Sequence, residues 1–99
     1  MVQREDFFER VWELVAEIPY GRVATYGQLA DMLGYPRHAR LAGAAVHHAP
    51  QGLPCHRVVA SNGRCAPHWP EQQMLLLQEG VSILPGGKAD LAHYRWEGL

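Results

Sequence analysis

Long apolar runs are missing from this chain. None of its stretches approaches the roughly 20 consecutive apolar residues that a membrane-spanning helix needs. The opening MVQREDFFER lacks the shape of a secretory signal. The expected address is therefore the cytoplasm, or the nucleoid of a bacterial source, with no membrane partner. Cysteine is scarce, with only Cys55 and Cys65, and in a reducing compartment two such thiols are expected to be free. No spacing resembles a zinc motif. Cys65-Ala66-Pro67-His68 and His47-His48 offer too few convergent ligands, so neither a metal nor a cofactor is expected. An excess of positive charge is absent as well: 9 Lys and Arg face 10 Asp and Glu, a net charge of −1. Any binding of nucleic acid must then rest on a local patch and on shape, with modest salt dependence. Internal repeats, low-complexity segments and dividing linkers are also missing. The 99 residues, 47% hydrophobic and 19% charged, read as a single monomeric domain over 1–99.

What is present is mostly helix. Phe7, Phe8, Val11, Trp12, Leu14, Val15 and Ile18 recur at helical spacing and predict a helix from about Asp6 to Ile18. Glu5 and Asp6 lie at the positive end of its dipole, and Pro19-Tyr20-Gly21 stops it. Thr25-Tyr26-Gly27-Gln28 has the form of a capping box and opens a second helix that Gly34 closes. Pro36 suits a first helical position, so a third helix is expected from Arg37 to His48. Two short helices across a tight turn read as a helix-turn-helix. By helical arithmetic Arg37, Arg40, Ala44 and His47 or His48 share one stripe, with Leu41, Ala45 and Val46 inward. Ala39, Ala42, Gly43, Ala44 and Ala45 are all tiny. Such a smooth helix permits either close approach of its backbone to a partner or close packing of two helices, and both readings stay open here.

Beyond a loop of breakers from Ala49 to Pro54, Asn62-Gly63 gives a strong hairpin signal. It is flanked by Val58-Val59-Ala60-Ser61 and Arg64-Cys65-Ala66, which predicts a small β-hairpin wing. A helix from Pro70 to Glu79, with Met74, Leu75, Leu76 and Leu77 as core bulk, precedes a short strand from Val81 to Leu84. The fold class is thus mainly α, a winged-helix-like helix-turn-helix domain with a small hairpin.

The chemistry concentrates in Pro54-Cys55-His56-Arg57-Val58-Val59. A thiol attacks as the thiolate, and neighbouring positive charge or a base helps it form. Alone, the dipeptide is weak, since a free cysteine is usually a small buried hydrophobe. Four ordered blocks strengthen it: Thr25-Tyr26-Gly27-Gln28-Leu29-Ala30, Ala39-Arg40 with Gly43, Pro54-Cys55-His56-Arg57-Val58, and Glu79-Gly80. In this order and spacing they resemble the C-terminal domain of O6-alkylguanine-DNA alkyltransferases, over about residues 5–81. The ending Tyr94-Arg95-Trp96 is similar to the shorter alkyltransferase-like branch, whose members usually carry tryptophan or alanine where this chain has Cys55.

The resemblance implies binding of double-stranded DNA through the minor groove and extrusion of O6-alkylguanine. It implies that Arg40 fills the hole left by the base, that Tyr26 presses on the backbone phosphate, and that Ala42, Gly43, Ala44 and Arg57 lie among the DNA contacts. Cys55 would accept the alkyl group irreversibly, activated through a water by His56, with Glu79 orienting the imidazole. That is the activity of a single-turnover methylated-DNA–protein-cysteine methyltransferase. Departures from the reactive pattern are Ala49 before Pro50, a shortened loop to Cys55, and Ala66-Pro67-His68-Trp69-Pro70 where a different lid is usual. Val58, His68 and Trp69 are candidate pocket residues. The departures and the tail favour a second function: a non-catalytic sensor that binds O6-alkylguanine and channels it to nucleotide excision repair. Transfer to Cys55 is the leading expectation here, and the sensor its alternative. A winged-helix transcription regulator is the weakest reading, because the third helix offers few large polar side chains for base edges.

Overall fold

The computed structural model describes residues 3–98. Met1, Val2 and Leu99 lie outside it. The elements run α1 (Arg4–Glu17), β1 (Ala24–Thr25), α2 (Tyr26–Met32), α3 (Ala39–His47), β2 (Val58–Val59), α4 (Glu71–Gln78), β3 (Ile83–Leu84), β4 (Lys88–Ala89) and α5 (Leu91–Tyr94). A single 3₁₀ turn spans Cys55–Arg57. The chain is mainly helical, and no helix among the described residues is long and apolar enough to cross a membrane.

α1 buries Phe7, Phe8, Val11, Leu14 and Val15 on one face, and α2 and α3 pack against it. The capping box forms as its sequence requires. The Thr25 hydroxyl accepts from the Gln28 amide at 3.0 Å, and the Gln28 side chain accepts from the Thr25 amide at 3.4 Å. Gly34 at φ 87° closes α2 in the left-handed region, where a side chain would be strained. The small residues of α3 divide by face. Ala42 and Ala45 are fully buried, and the Trp12 indole donates to the Ala45 carbonyl at 2.7 Å, locking α1 onto α3.

Three expectations need correction. Pro36 does not begin α3. The His38 amide bonds the Tyr35 carbonyl at 2.9 Å, so Pro36 occupies the second position of a turn, a place its fixed φ suits, and α3 starts at Ala39. The Asn62-Gly63 turn forms, closed by Ala60 N–H to Arg64 O at 3.0 Å, but its flanks do not make a two-stranded wing. β2 pairs in parallel with β1, Ala24 against Val58 and Thr25 against Val59, while Arg64 bridges to Lys88. Gly63 is fixed by close approach: a Cβ there would lie 2.5 Å from the Ala89 carbonyl oxygen. Third, only Leu76 of the apolar run in α4 is fully buried, with Met74 and Leu77 exposed.

A second core holds Val23, Val59, Cys65, Leu76, Val81 and Ala89. The tail closes the molecule. Val23 N–H bonds the Tyr94 carbonyl, Trp96 N–H bonds the Val23 carbonyl, and buried Trp96 joins the α1–α3 core. Gln28, already in the capping box, also donates to the Trp96 carbonyl at 2.6 Å.

Candidate nucleic-acid interface

The parallel β1–β2 pair places the start of α2 beside the 3₁₀ turn that carries Cys55. Between them opens a cleft of about 450 Å³, within the size range of small-ligand sites. Tyr26, Gly43, Val46 and His47 form one wall, Cys55 and Gln72 the inner end, and Ala66, Pro67, His68 and Trp69 the other wall. Tyr26 lies over α3, where a Cβ on Gly43 would stand 3.8 Å from its ring, an ordinary contact. Burial, followed by the nearby thiols of Cys55 and Cys65, pushes the Tyr26 phenol upward, so it stays a neutral hydroxyl.

Both cysteines are free. Burial raises the Cys55 thiol, and its sulfur donates weakly to the Val46 carbonyl at 3.9 Å. Its resting form at neutral pH is therefore the thiol. Immediately beyond Cys55 lies a dense polar hub. His56 Nε2 is 2.6 Å from Glu79 Oε2. Arg57 grips the same carboxylate, Nε to Oε1 at 2.9 Å and Nη2 to Oε2 at 2.9 Å, and its Nη1 donates to the Ile18 carbonyl at 2.8 Å. The Gly21 amide adds a donor to Glu79 Oε1 at 2.9 Å. Burial alone would raise the Glu79 carboxyl, but hydrogen bonds from Arg57, Gly21 and His56 together with the Arg57 charge outweigh it and hold the group at about 2. An ionised carboxylate only accepts, so the proton between His56 and Glu79 belongs to Nε2.

The structure thus brings Cys55, His56 and Glu79 to one place, and Tyr26, Gly43, His68 and Trp69 to the cleft. Arg40 stands exposed at the second position of α3, and no hydrogen bond or ion pair among the described residues engages it. Four expected site residues lie elsewhere. Arg57 is turned inward, with Nε, Nη1 and Nη2 each donating to Glu79 or Ile18 and its side chain only 16% exposed. Ala42 is sealed between helices, and Ala44 also packs against the core, so of the tiny stretch it is Gly43 that borders the cleft. Val58 is buried in β2 rather than lining the cleft.

One site residue escaped the sequence reading altogether. Gln72, in the first turn of α4, is only 1% exposed. Its carbonyl accepts from the Ala66 amide at 2.6 Å, and its amide nitrogen donates to the carbonyls of His56 at 3.1 Å and Val58 at 2.9 Å. A glutamine beside another glutamine, ahead of an apolar run, carries no local sign of such a role. No group of three metal-competent side chains converges among the described residues.

Comparison with known proteins adds three findings. The family model described as the DNA-binding domain of 6-O-methylguanine DNA methyltransferase matches residues 6–81. Among curated relatives, a DNA base-flipping protein of Escherichia coli is 44% identical over 96% of this chain and 78% of its own length. A methylated-DNA–protein-cysteine methyltransferase of Mycobacterium tuberculosis is also 44% identical, but over 60% of this chain and 37% of its own length. Among solved structures, the Atl1 protein of Schizosaccharomyces pombe, in complex with damaged DNA containing O6-carboxymethylguanine, superimposes with a TM-score of 0.85 at 34% identity. That likeness covers 98% of this chain and 99% of Atl1.

Proposed function

Because the chain belongs to the family of the 6-O-methylguanine DNA methyltransferase DNA-binding domain, we propose that it is a damage sensor for O6-alkylguanine in double-stranded DNA. It turns the damaged nucleotide out of the stack, holds it in the Cys55 cleft, and marks it for nucleotide excision repair. It acts as a one-domain monomer in the cytoplasm, or at the nucleoid of a bacterial source. The single observation that carries this reading is the cleft, which opens beside α3 and is walled by one aromatic side chain from α2 and another from the lid. A base inside a duplex cannot reach such a space without extrusion. O6-alkylation strips guanine of its N1–H donor, so the lesion pairs poorly and costs less to extrude than an intact base. Tyr26 supports the turned-out nucleotide and Arg40, with its donors unspent, fills the vacated stack. Gly43 lets the DNA backbone approach the cleft mouth, and His68 and Trp69 cover the base.

Transfer to Cys55 is the second reading, favoured by the 2.6 Å contact between His56 and Glu79. In that step the sulfur attacks the alkyl carbon, the C–O bond breaks, its electrons return to the guanine, and the thiol proton passes to His56. A thioether remains. What weighs toward the sensor instead is that the matches running nearly the length of both chains include the alkyltransferase-like Atl1. The test is equilibrium binding to duplexes that differ at one guanine. The reading expects preference for O6-methylguanine in any flanking sequence with a modest salt slope, and equal affinity for the unmodified duplex would refute it.

A further inference from the structure

Gln72 hydrogen-bonds two parts of the cleft that no other side-chain hydrogen bond among the described residues joins. The lid segment at Ala66 hangs on its carbonyl oxygen, and the loop bearing Cys55 and His56 hangs on its amide nitrogen through the His56 and Val58 carbonyls. The two segments it joins are irregular backbone, the 3₁₀ turn at Cys55–Arg57 that forms the floor and the turn around Ala66–Trp69 that forms the lid. Irregular segments without ladder bonds are held in place by whatever side chain satisfies their backbone groups. Gln72 is able to do so because α4 is anchored through buried Leu76 in the second core. It also borders the cleft, yet both amide hydrogens and one carbonyl lone pair are already committed. It is therefore equipped to set the width of the cleft rather than to bind its contents.

We infer that Gln72 is a positioning residue that fixes the distance between the His68–Trp69 lid and the Cys55 floor and thereby sets selectivity for the alkylated base. This rests on the sensor reading above. Gln72 governs the ratio of lesion to undamaged binding, while general affinity for duplex, carried by α3, does not depend on it.

The experiment compares Gln72→Met, which keeps length and removes every hydrogen bond, and Gln72→Lys, which keeps a donor for the two carbonyls but has no acceptor for the Ala66 amide. Each is titrated with O6-methylguanine and unmodified duplexes, and the rate at which Cys55 reacts with a small thiol reagent is mapped by mass. Far-ultraviolet circular dichroism confirms folding. The preference of Gln72→Met for the lesion is expected to fall about tenfold, as befits the loss of a buried hydrogen-bonded group, with undamaged binding unchanged. Cys55 reacts faster in Gln72→Met, and Gln72→Lys retains the slower wild-type rate while losing part of the preference. A folded Gln72→Met with intact preference and unchanged thiol rate overturns the inference. Should Gln72→Met fail to fold, Gln72→Lys decides alone: unaltered preference overturns the inference, and reduced preference supports it. Should the wild type show no lesion preference, it is the sensor reading that fails. The thiol rate then still judges Gln72, faster in Gln72→Met for a positioning role and unchanged against one.

Discussion

The two sides of Cys55 are built in opposite ways. Behind it, Glu79 collects bonds from Arg57, His56 and the Gly21 amide, and Arg57 reaches on to Ile18. In front of it, α3 presents Arg40 with no internal partner among the described residues, and an α3 face whose bulk has been pared to Gly43. The rear fixes geometry, and the front keeps its donors for something outside the chain. Arginines of one small domain thus serve contrasting ends, and their bonding, rather than their exposure in sequence, tells them apart.

Breaking the rear should have the largest effect. Glu79→Ala leaves Arg57 largely buried without its counter-charge, and a loss of about 3–5 kcal/mol is expected in urea denaturation. The same hub predicts an acid limb. Glu79 has an ordinary value of 4.5 and is held at about 2 in the fold. Its contribution is therefore fully present above pH 4.5 and is lost as pH falls through about 2. The loss is on the order of 3 kcal/mol, visible in melts across that window, and Glu79→Gln should flatten the limb.

The front should respond in binding and not in stability. Arg40→Ala is expected to weaken the lesion complex by about 2 kcal/mol, roughly thirtyfold, while its denaturation midpoint stays put. Arg37→Ala should cost no more than about threefold by screening of one surface charge. Equal losses from the two would erase the contrast between a finger and a bystander. The smallest effect belongs to the scaffold between the two sides. Thr25→Ala removes one half of the capping box and should cost about 1 kcal/mol of stability, with lesion preference retained.

Local signals were legible in the sequence wherever one segment decides its own conformation. The Thr25–Gln28 box, the Gly34 stop, the apolar face of α1 and the Asn62-Gly63 turn all formed. The grouping of Cys55, His56 and Glu79 was legible through family resemblance, which carries long-range information that periodicity does not. What stayed hidden depends on distant partners. β1 and β2 are two residues each and pair across some thirty intervening positions, so no alternation marks them, and their pairing drew Val58-Val59 away from the expected wing. Arg57 and Ala42 entered as DNA contacts through the resemblance, and nothing local shows that Glu79, far along the chain, claims the one or that neighbouring helices bury the other. Gln72 was invisible for the same reason: its partners are backbone groups of two loops whose course no local rule sets.

The most direct test is the intact mass of the protein after incubation with an excess of duplex containing O6-methylguanine, read alongside binding of the same duplex. The account predicts a lesion-selective complex and an unchanged mass, with Cys55 still a thiol. A gain of one methylene mapped to Cys55 would contradict it and make the chain a single-turnover alkyltransferase.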